Sequence, residues 1–308
     1  MYHYEDIKTL VDKETVFIGD LSNIEFDKAK NLNDADEYSI VWVKNSGQDA
    51  YDKISQTKAR VIICKNNIDL DKKILDRKCC VLTSNPKYIF TKIVNHLFVP
   101  KWETGIHQTA IIDKEAKFGK NVYIGPYSVI EKCILGDNCY IDSHCHIYNN
   151  VIIGNNVQIG SSTIIGGFGF GYSRDENEKL HRFPHIGGVV IGDDVEIGSN
   201  TSIDCGSLSD TIIKNGVKID NLVHIAHNVI IEKDSLIIAH SILCGSCKIG
   251  ERTWIAPSVC VRNNVVIGND VVVGMGAIVT KNIPDNESWI GNPAKPLSEY
   301  LLSKGEGK

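Results

Sequence analysis

Residues 213–273 read IKNGVKIDNLVHIAHNVIIEKDSLIIAHSILCGSCKIGERTWIAPSVCVRNNVVIGNDVVV. Every sixth position is a branched aliphatic: Ile213, Ile219, Ile225, Ile231, Ile237, Leu243, Ile249, Ile255, Val261, Ile267 and Val273. Two places before each tooth of this comb stands a small or β-branched residue, from Val217, Val223 and Val229 through Ser235, Ser241, Cys247 and Thr253 to Val271. An α-helix repeats every 3.6 residues and an ordinary strand every 2, so neither requires a period of six. A coiled β-solenoid does: each hexapeptide gives a short strand and a corner, and three hexapeptides close one triangular coil. The aliphatics then point into a narrow prism.

Outward from that stretch, the comb runs back through Ile112, Phe118 and Ile124, then Leu135 to Ile165, then Ile191 to Ile203. Two interruptions break it. Residues 166–190 form a Gly- and charge-rich excursion, and residues 207–210 (SLSD) lengthen one corner by four. Loops that leave a stacked solenoid tend to share a face and carry function. Residues 1–103 lack the period and alternate short apolar runs with helical pattern, as in a small α/β domain. Within them Asn85-Pro86 opens a capped helix with Pro in its first turn. The expected division is 1–103, a nucleotide-binding α/β domain; 104–285, the solenoid; and 286–308, a cap with one short helix.

Composition excludes several classes. The 308 residues carry 33 Lys and Arg against 38 Asp and Glu, so nothing draws the chain to nucleic acid. No apolar run reaches the length of a membrane span. MYHYEDIKTL lacks the basic and apolar regions of a signal peptide, which predicts a cytoplasmic protein. Of the ten cysteines, Cys133, Cys139 and Cys145 fall in the small inward slot of the coil and read as core thiols. Cys244 and Cys247 form a lone C-x-x-C without a second pair, and no metal site is expected.

A packed prism has no internal pocket, so ligands belong in grooves between subunits, and a closed homotrimer is the natural assembly. One coil is 18 residues, which sets Gly245 over His227 on strands roughly 4.8 Å apart. An imidazole suits a base near neutral pH, and an unobstructed glycine N–H suits an oxyanion. His227 also fits a plain corner residue.

Four segments sharpen the reading: NPKYIFTKIVNHLF (85–98), GFGFGY (167–172), IGDDVEIGSNTSIDCG (191–206) and VKIDNLVHIAHNVII (217–231). In that order, behind an α/β domain, the chain resembles the UDP-3-O-acylglucosamine N-acyltransferases of lipid A synthesis (LpxD-like). The resemblance implies a left-handed parallel β-helix, N-acylation of a nucleotide-linked amino sugar, and a homotrimer. It implies that His227 of IAHN is the general base, that Asp220 of IDN orients it, and that Gly245 matches the family's glycine. It implies nucleotide recognition by Trp42, Asn45 and Tyr51, although Trp42 equally fits a strand core. The excursion, through Gly169 and Phe170, is the expected sugar contact.

The chain departs from that pattern at Asn264, where the family has a second His, and at Gly167, where it has an Asp. It also ends soon after GNPAKPLSEYLL. On these departures the expected donor is acyl-CoA, held near Gly276, Lys281 and Lys295, with the two lysines also readable as solubilising. The expected acceptor is a dTDP-linked amino-deoxysugar, as in the dTDP-4-amino-4,6-dideoxyglucose acyltransferases of anthrose biosynthesis (AntD-type). The alternatives are transfer from an acyl carrier protein to UDP-3-O-acylglucosamine, and a non-catalytic solenoid that binds sugar nucleotides.

Overall fold

The structure is a computed structural model that describes residues 1–22 and 24–304, so the last four residues of the expected tail lie outside the described residues. Two compact units are present, Met1–Lys101 and Trp102–Lys308.

The first unit is a five-stranded sheet between helices. Its strands β1 (Val16–Gly19), β2 (Lys28–Ala29), β3 (Ser39–Trp42), β4 (Val61–Lys65) and β5 (Cys79–Thr83) are ordered β1-β5-β4-β3-β2. All pairs are parallel except β1 with β5. Strands covered on both faces need apolar residues at every position, which explains the unbroken runs read from the sequence. Val41, Ile62, Cys64 and Cys80 face one cluster with Ala50 and Ile54 of α1 (Gly47–Gln56). Ile40, Val61, Ile63 and Val81 face the other, with Ile89 and Ile93 of α2 (Pro86–Leu97). Asn85 caps α2 by accepting from the Tyr88 N–H at 3.3 Å.

The second unit is a three-sided parallel β-helix. Three ladders of nine, eight and eleven strands form its faces. Ile213 pairs with Ile231, Ile219 with Ile237 and Ile225 with Leu243, which is the 18-residue turn. None of the eleven comb aliphatics is more than 3% exposed. Truncating one, as in Ile237→Ala, costs about 2–5 kcal/mol because the packed prism cannot collapse onto the gap.

The inward slot two places earlier accepts small polar residues because each finds a carbonyl within reach. Ser235 donates to Gly250 O at 2.7 Å, Thr253 to Gly268 O at 2.8 Å, and the Cys145 thiol to Gly160 O at 3.2 Å. All ten cysteines are free. Burial pushes the Cys247 thiol up to about 12 and Cys145 to about 11, so both pack as neutral groups.

Most corners turn through one left-handed residue. Asn138, His144, Asn150, Asn156 and Ser162, then Leu222, Asn228, Asp234, His240 and Ser246, take φ between 56° and 62°. Asn and Asp reach this conformation at low cost. The two interruptions leave the stack intact. Ile153 pairs across the first with Ile191, and Ile203 across the second with Ile225. The first carries an antiparallel hairpin of Tyr172–Arg174 with Leu180–Arg182. At the carboxy end, Ser288–Ile290 extends one face and Lys295–Pro296 turns back on it, followed by a helix at Leu297–Lys304.

Candidate active site at a corner of the β-helix

His227 stands at the corner that follows the strand His224–Ile225, half-buried. The ladder pairs His224 with Ile242, so Gly245 falls on the next coil directly over the imidazole. A Cβ on Gly245 would lie 2.7 Å from His227 Cε1 and 2.8 Å from Nε2. Any side chain there would have to displace the ring. Among the described residues no carbonyl takes the Gly245 N–H, which leaves a backbone donor beside the ring.

The imidazole is oriented by its neighbour. His227 Nδ1 lies 3.0 Å from Asn228 Oδ1. The Asn228 amide is fixed: Nδ2 donates to Ser209 O at 2.8 Å, while Oδ1 accepts from the Ser207 N–H at 3.1 Å and the Ser207 hydroxyl at 2.8 Å. Because a carbonyl oxygen only accepts, Oδ1 must be the atom facing the ring. His227 therefore carries its proton on Nδ1 and presents a lone pair on Nε2. Ser207 and Ser209 belong to the four-residue insertion, whose local task is to hold this amide. The left-handed φ of 61° at Asn228 is the corner conformation that Asn tolerates.

The acid near the ring is Asp204, not Asp220. Asp204 is 8% exposed, its carboxylate 3.8 Å from His224 Nε2. Burial raises its pKa, while the fields of His224 and His227 oppose that rise. The expectation that Asp220 orients His227 is corrected. Asp220 follows a strand of another face, Lys218–Ile219, and its carboxylate accepts from the Asn221 N–H and the Ala239 N–H.

A second histidine, which the sequence reading passed over, meets the first. His185, from the end of the excursion, is 6% exposed, and its ring lies edge-on to His227 with centroids 5.0 Å apart. Gly169 lies against the His185 ring and the base of the His227 side chain: a Cβ there would fall 2.5 Å from His185 Nε2 and 3.0 Å from His227 Cβ. Phe170 does not join it. Its side chain is 83% exposed and rests edge-on to Tyr172.

In the first unit, Trp42 and Asn45 line one cavity together with Phe90, Lys30, Lys44 and Lys53. Trp42 is half-buried, its ring 6.4 Å from Phe90, so it serves the core and faces the cavity at once. Tyr51 is corrected out of that group. It lines a different cavity, and its hydroxyl donates to Asp71 Oδ2 at 2.7 Å. Phe90 is the second aromatic instead, hidden in the sequence as an ordinary helix residue.

Comparison with known proteins bears on the solenoid. A model of the GMPPB C-terminal domain matches residues 101–207, and the model described as bacterial transferase hexapeptide (six repeats) matches residues 246–281. Two curated relatives are similar to this chain, both named UDP-3-O-acylglucosamine N-acyltransferase. That of Methylococcus capsulatus is 30% identical over 138 residues, 45% of this chain and 39% of the relative. That of Methylobacterium nodulans is 35% identical over 137 residues, 44% and 39% of the two. The chain thus spans about two fifths of the length of these relatives. Among solved structures, the UDP-N-acetylglucosamine acyltransferase from Campylobacter jejuni superposes with a TM-score of 0.58 at 23% identity, over 64% of this chain and 76% of that one. The LpxA acyltransferase from Bacteroides fragilis gives 0.55 at 24%, over 66% and 78%. These likenesses give the fold, a left-handed β-helix.

The expectation of acyl-CoA as donor is corrected by the same finding. The relatives are UDP-3-O-acylglucosamine N-acyltransferases by name, the class whose resemblance implies an acyl carrier protein. Lys281 follows a strand of one face and Lys295 lies on another, both exposed, and Gly276 is a left-handed turn residue with φ of 68°. Across the described residues no helix is long and apolar enough to cross a membrane.

Proposed function

We propose that this chain transfers an acyl group from a carrier-protein thioester to the amino nitrogen of a nucleotide-linked amino sugar of the UDP-3-O-acylglucosamine type. The carrying observation is the corner where Gly245 lies over a His227 ring whose tautomer Asn228 fixes. As the amine attacks the thioester carbonyl, a C–N bond forms and the nitrogen gives its proton to His227 Nε2. The carbonyl oxygen becomes an oxyanion opposite the Gly245 N–H. Collapse breaks the C–S bond, and the thiolate takes the proton back from the imidazolium. Asp204 places negative charge where that imidazolium forms.

The similarity of the relatives supports the uridine-linked acceptor over the dTDP-deoxysugar, and the first unit supplies a cavity of suitable chemistry. Trp42 and Phe90 offer flat faces to a base, Asn45 an amide for its polar edge, and Lys30 and Lys44 charge for a diphosphate. The proposal keeps the homotrimer. Ile134, Ile152, Val190, Ile212 and Ile230 make a continuous outward aliphatic ladder on one face, which a second copy would cover. Light scattering of Ile212→Lys should then report monomers.

The direct experiment incubates the protein with UDP-3-O-acylglucosamine or a dTDP-4-amino-4,6-dideoxyhexose, each with an acyl carrier protein thioester, and reads products by mass spectrometry. Acylation of the first supports the reading. Acylation of the second alone overturns the acceptor, and absence of any product overturns the transfer.

A further inference from the structure

His185 has a ring nitrogen that nothing in the protein satisfies. Its Nδ1 lies 3.0 Å from Phe183 O, and since a carbonyl only accepts, Nδ1 carries the proton. Nε2 is therefore an acceptor. It is fully buried and has no hydrogen-bond partner among the described residues, the one side-chain atom found in that state. A buried acceptor without a donor destabilises the free protein, and such atoms are rare enough to need a reason.

The surroundings supply one. The ring meets His227 edge-on at 5.0 Å, so the unsatisfied atom lies beside the proposed base. What stands over it is Gly169, in a stretch with glycines at 166, 167, 169 and 171. A side chain at 169 would strike Nε2 at 2.5 Å. Backbone without side chains is what yields most easily to an arriving ligand group. The alternatives for an orphan nitrogen fare worse. His185 is in no group of three or more candidate metal ligands among the described residues, and its own backbone oxygen already faces the Cys205 thiol at 3.9 Å.

We propose that His185 is a specificity-determining residue, its Nε2 accepting a hydrogen bond from an N–H or O–H of the acceptor sugar next to the attacking nitrogen. The assignment rests on the acceptor being an amino sugar, as in the proposed function. The two imidazoles then divide the work. His227 takes the proton that leaves, and His185 holds a neighbouring donor that stays, which fixes the sugar's angle to the thioester. A sugar without that donor leaves Nε2 buried and unpaired and binds more weakly.

The test is calorimetric titration of UDP-glucosamine into wild type, His185→Gln and His185→Leu, with melting curves of each free protein. Gln retains an acceptor oxygen at similar reach, and Leu fills the space without one. The expected result is a Kd about tenfold weaker for His185→Leu, the loss of one hydrogen bond with its donor stranded, with His185→Gln close to wild type. The free His185→Leu protein should melt no lower than wild type, because it no longer buries an orphan. Equal affinity in all three proteins overturns the proposal. So does equal weakening of both variants with lowered melting points, which marks a structural role, and so does a wild type that fails to bind. Turnover is scored separately, with UDP-3-O-acylglucosamine and the carrier thioester. Ordered affinities without turnover overturn the acyltransferase reading and leave His185 its role. Turnover with equal affinities does the reverse.

Discussion

His227 Nδ1 and Asn228 Oδ1 stand 3.0 Å apart, and the Asn228 amide is clamped by Ser207 and Ser209 so that only one imidazole tautomer satisfies the pair. Asn228→Gly tests this without straining the corner, because glycine takes a φ of 61° freely. Loss of the amide frees the ring to rotate and change tautomer. The expected kcat falls by about 10–100-fold, a part of what a positioned base supplies. Asn228→Asp keeps an accepting oxygen toward Nδ1 and should stay nearer wild type. Nitrogen-15 shifts of the His227 ring, read beside the kinetics, would show whether the tautomer followed. Equal rates for Gly and Asn at 228 would remove the positioning role.

Gly245→Ala addresses the opposite side of the same ring. The backbone at 245 is not in the left-handed region, so alanine is conformationally acceptable. Its methyl would nevertheless lie 2.7 Å from His227 Cε1, and the imidazole must give way. The variant should fold with a melting point close to wild type and lose about 10²–10³ in kcat, the scale of a displaced oxyanion donor and base. His227→Ala should lose about 10²–10⁴. If Gly245→Ala were fully active, the proposed pairing of the glycine with the ring would be wrong.

Asp204 makes a prediction in pH. Burial holds its carboxyl above the ordinary value of 3.8, so the folded protein keeps the proton longer than the unfolded chain does. The contribution of this group to stability is complete below the unfolded value and declines as pH rises through the raised folded one. Once ionised it is a buried anion beside His224 and His227. Asp204→Asn should therefore melt higher at pH 7, by about 2–4 °C if the gain is near 1 kcal/mol, and the gain should vanish toward pH 3. Activity should move the other way, because the charge that favours the imidazolium is gone. A lower melting point at pH 7 would show that the histidines more than offset the burial.

How much of this could be read in advance follows from how each residue reaches the site. The comb is a local pattern, and an 18-residue turn carries it upward without error, so Gly245 over His227 was within reach of counting. Asp204 and His185 were not. Each arrives across an interruption, where Ser202 pairs with His224 rather than a residue 18 along. Allowing for the four-residue SLSD insertion sets Ser202 beneath His224 and so brings Asp204 beneath this corner. His185 follows a hairpin whose course no period fixes. Asp220 misled because a motif neighbour in sequence lies on another face of the prism. Asn228 was in view within IAHN, but its role depends on serines contributed by the lower coil.

The first unit offers the last prediction. Trp42 and Phe90 face one cavity with Asn45, whereas Tyr51 donates to Asp71, whose carboxylate also caps the short helix at Lys72–Leu75. If the cavity takes a nucleobase, Phe90→Ala and Asn45→Ala should each weaken UDP binding by about 5–10-fold, the scale of one stacking face or one hydrogen bond. Tyr51→Phe should leave UDP affinity unchanged and lower the melting point slightly through the lost tie to Asp71. Calorimetry with UDP on the three variants decides between the two aromatics. A loss at Tyr51→Phe with none at Phe90→Ala would return the nucleotide to the Tyr51 side, and with it the grouping that the sequence first proposed.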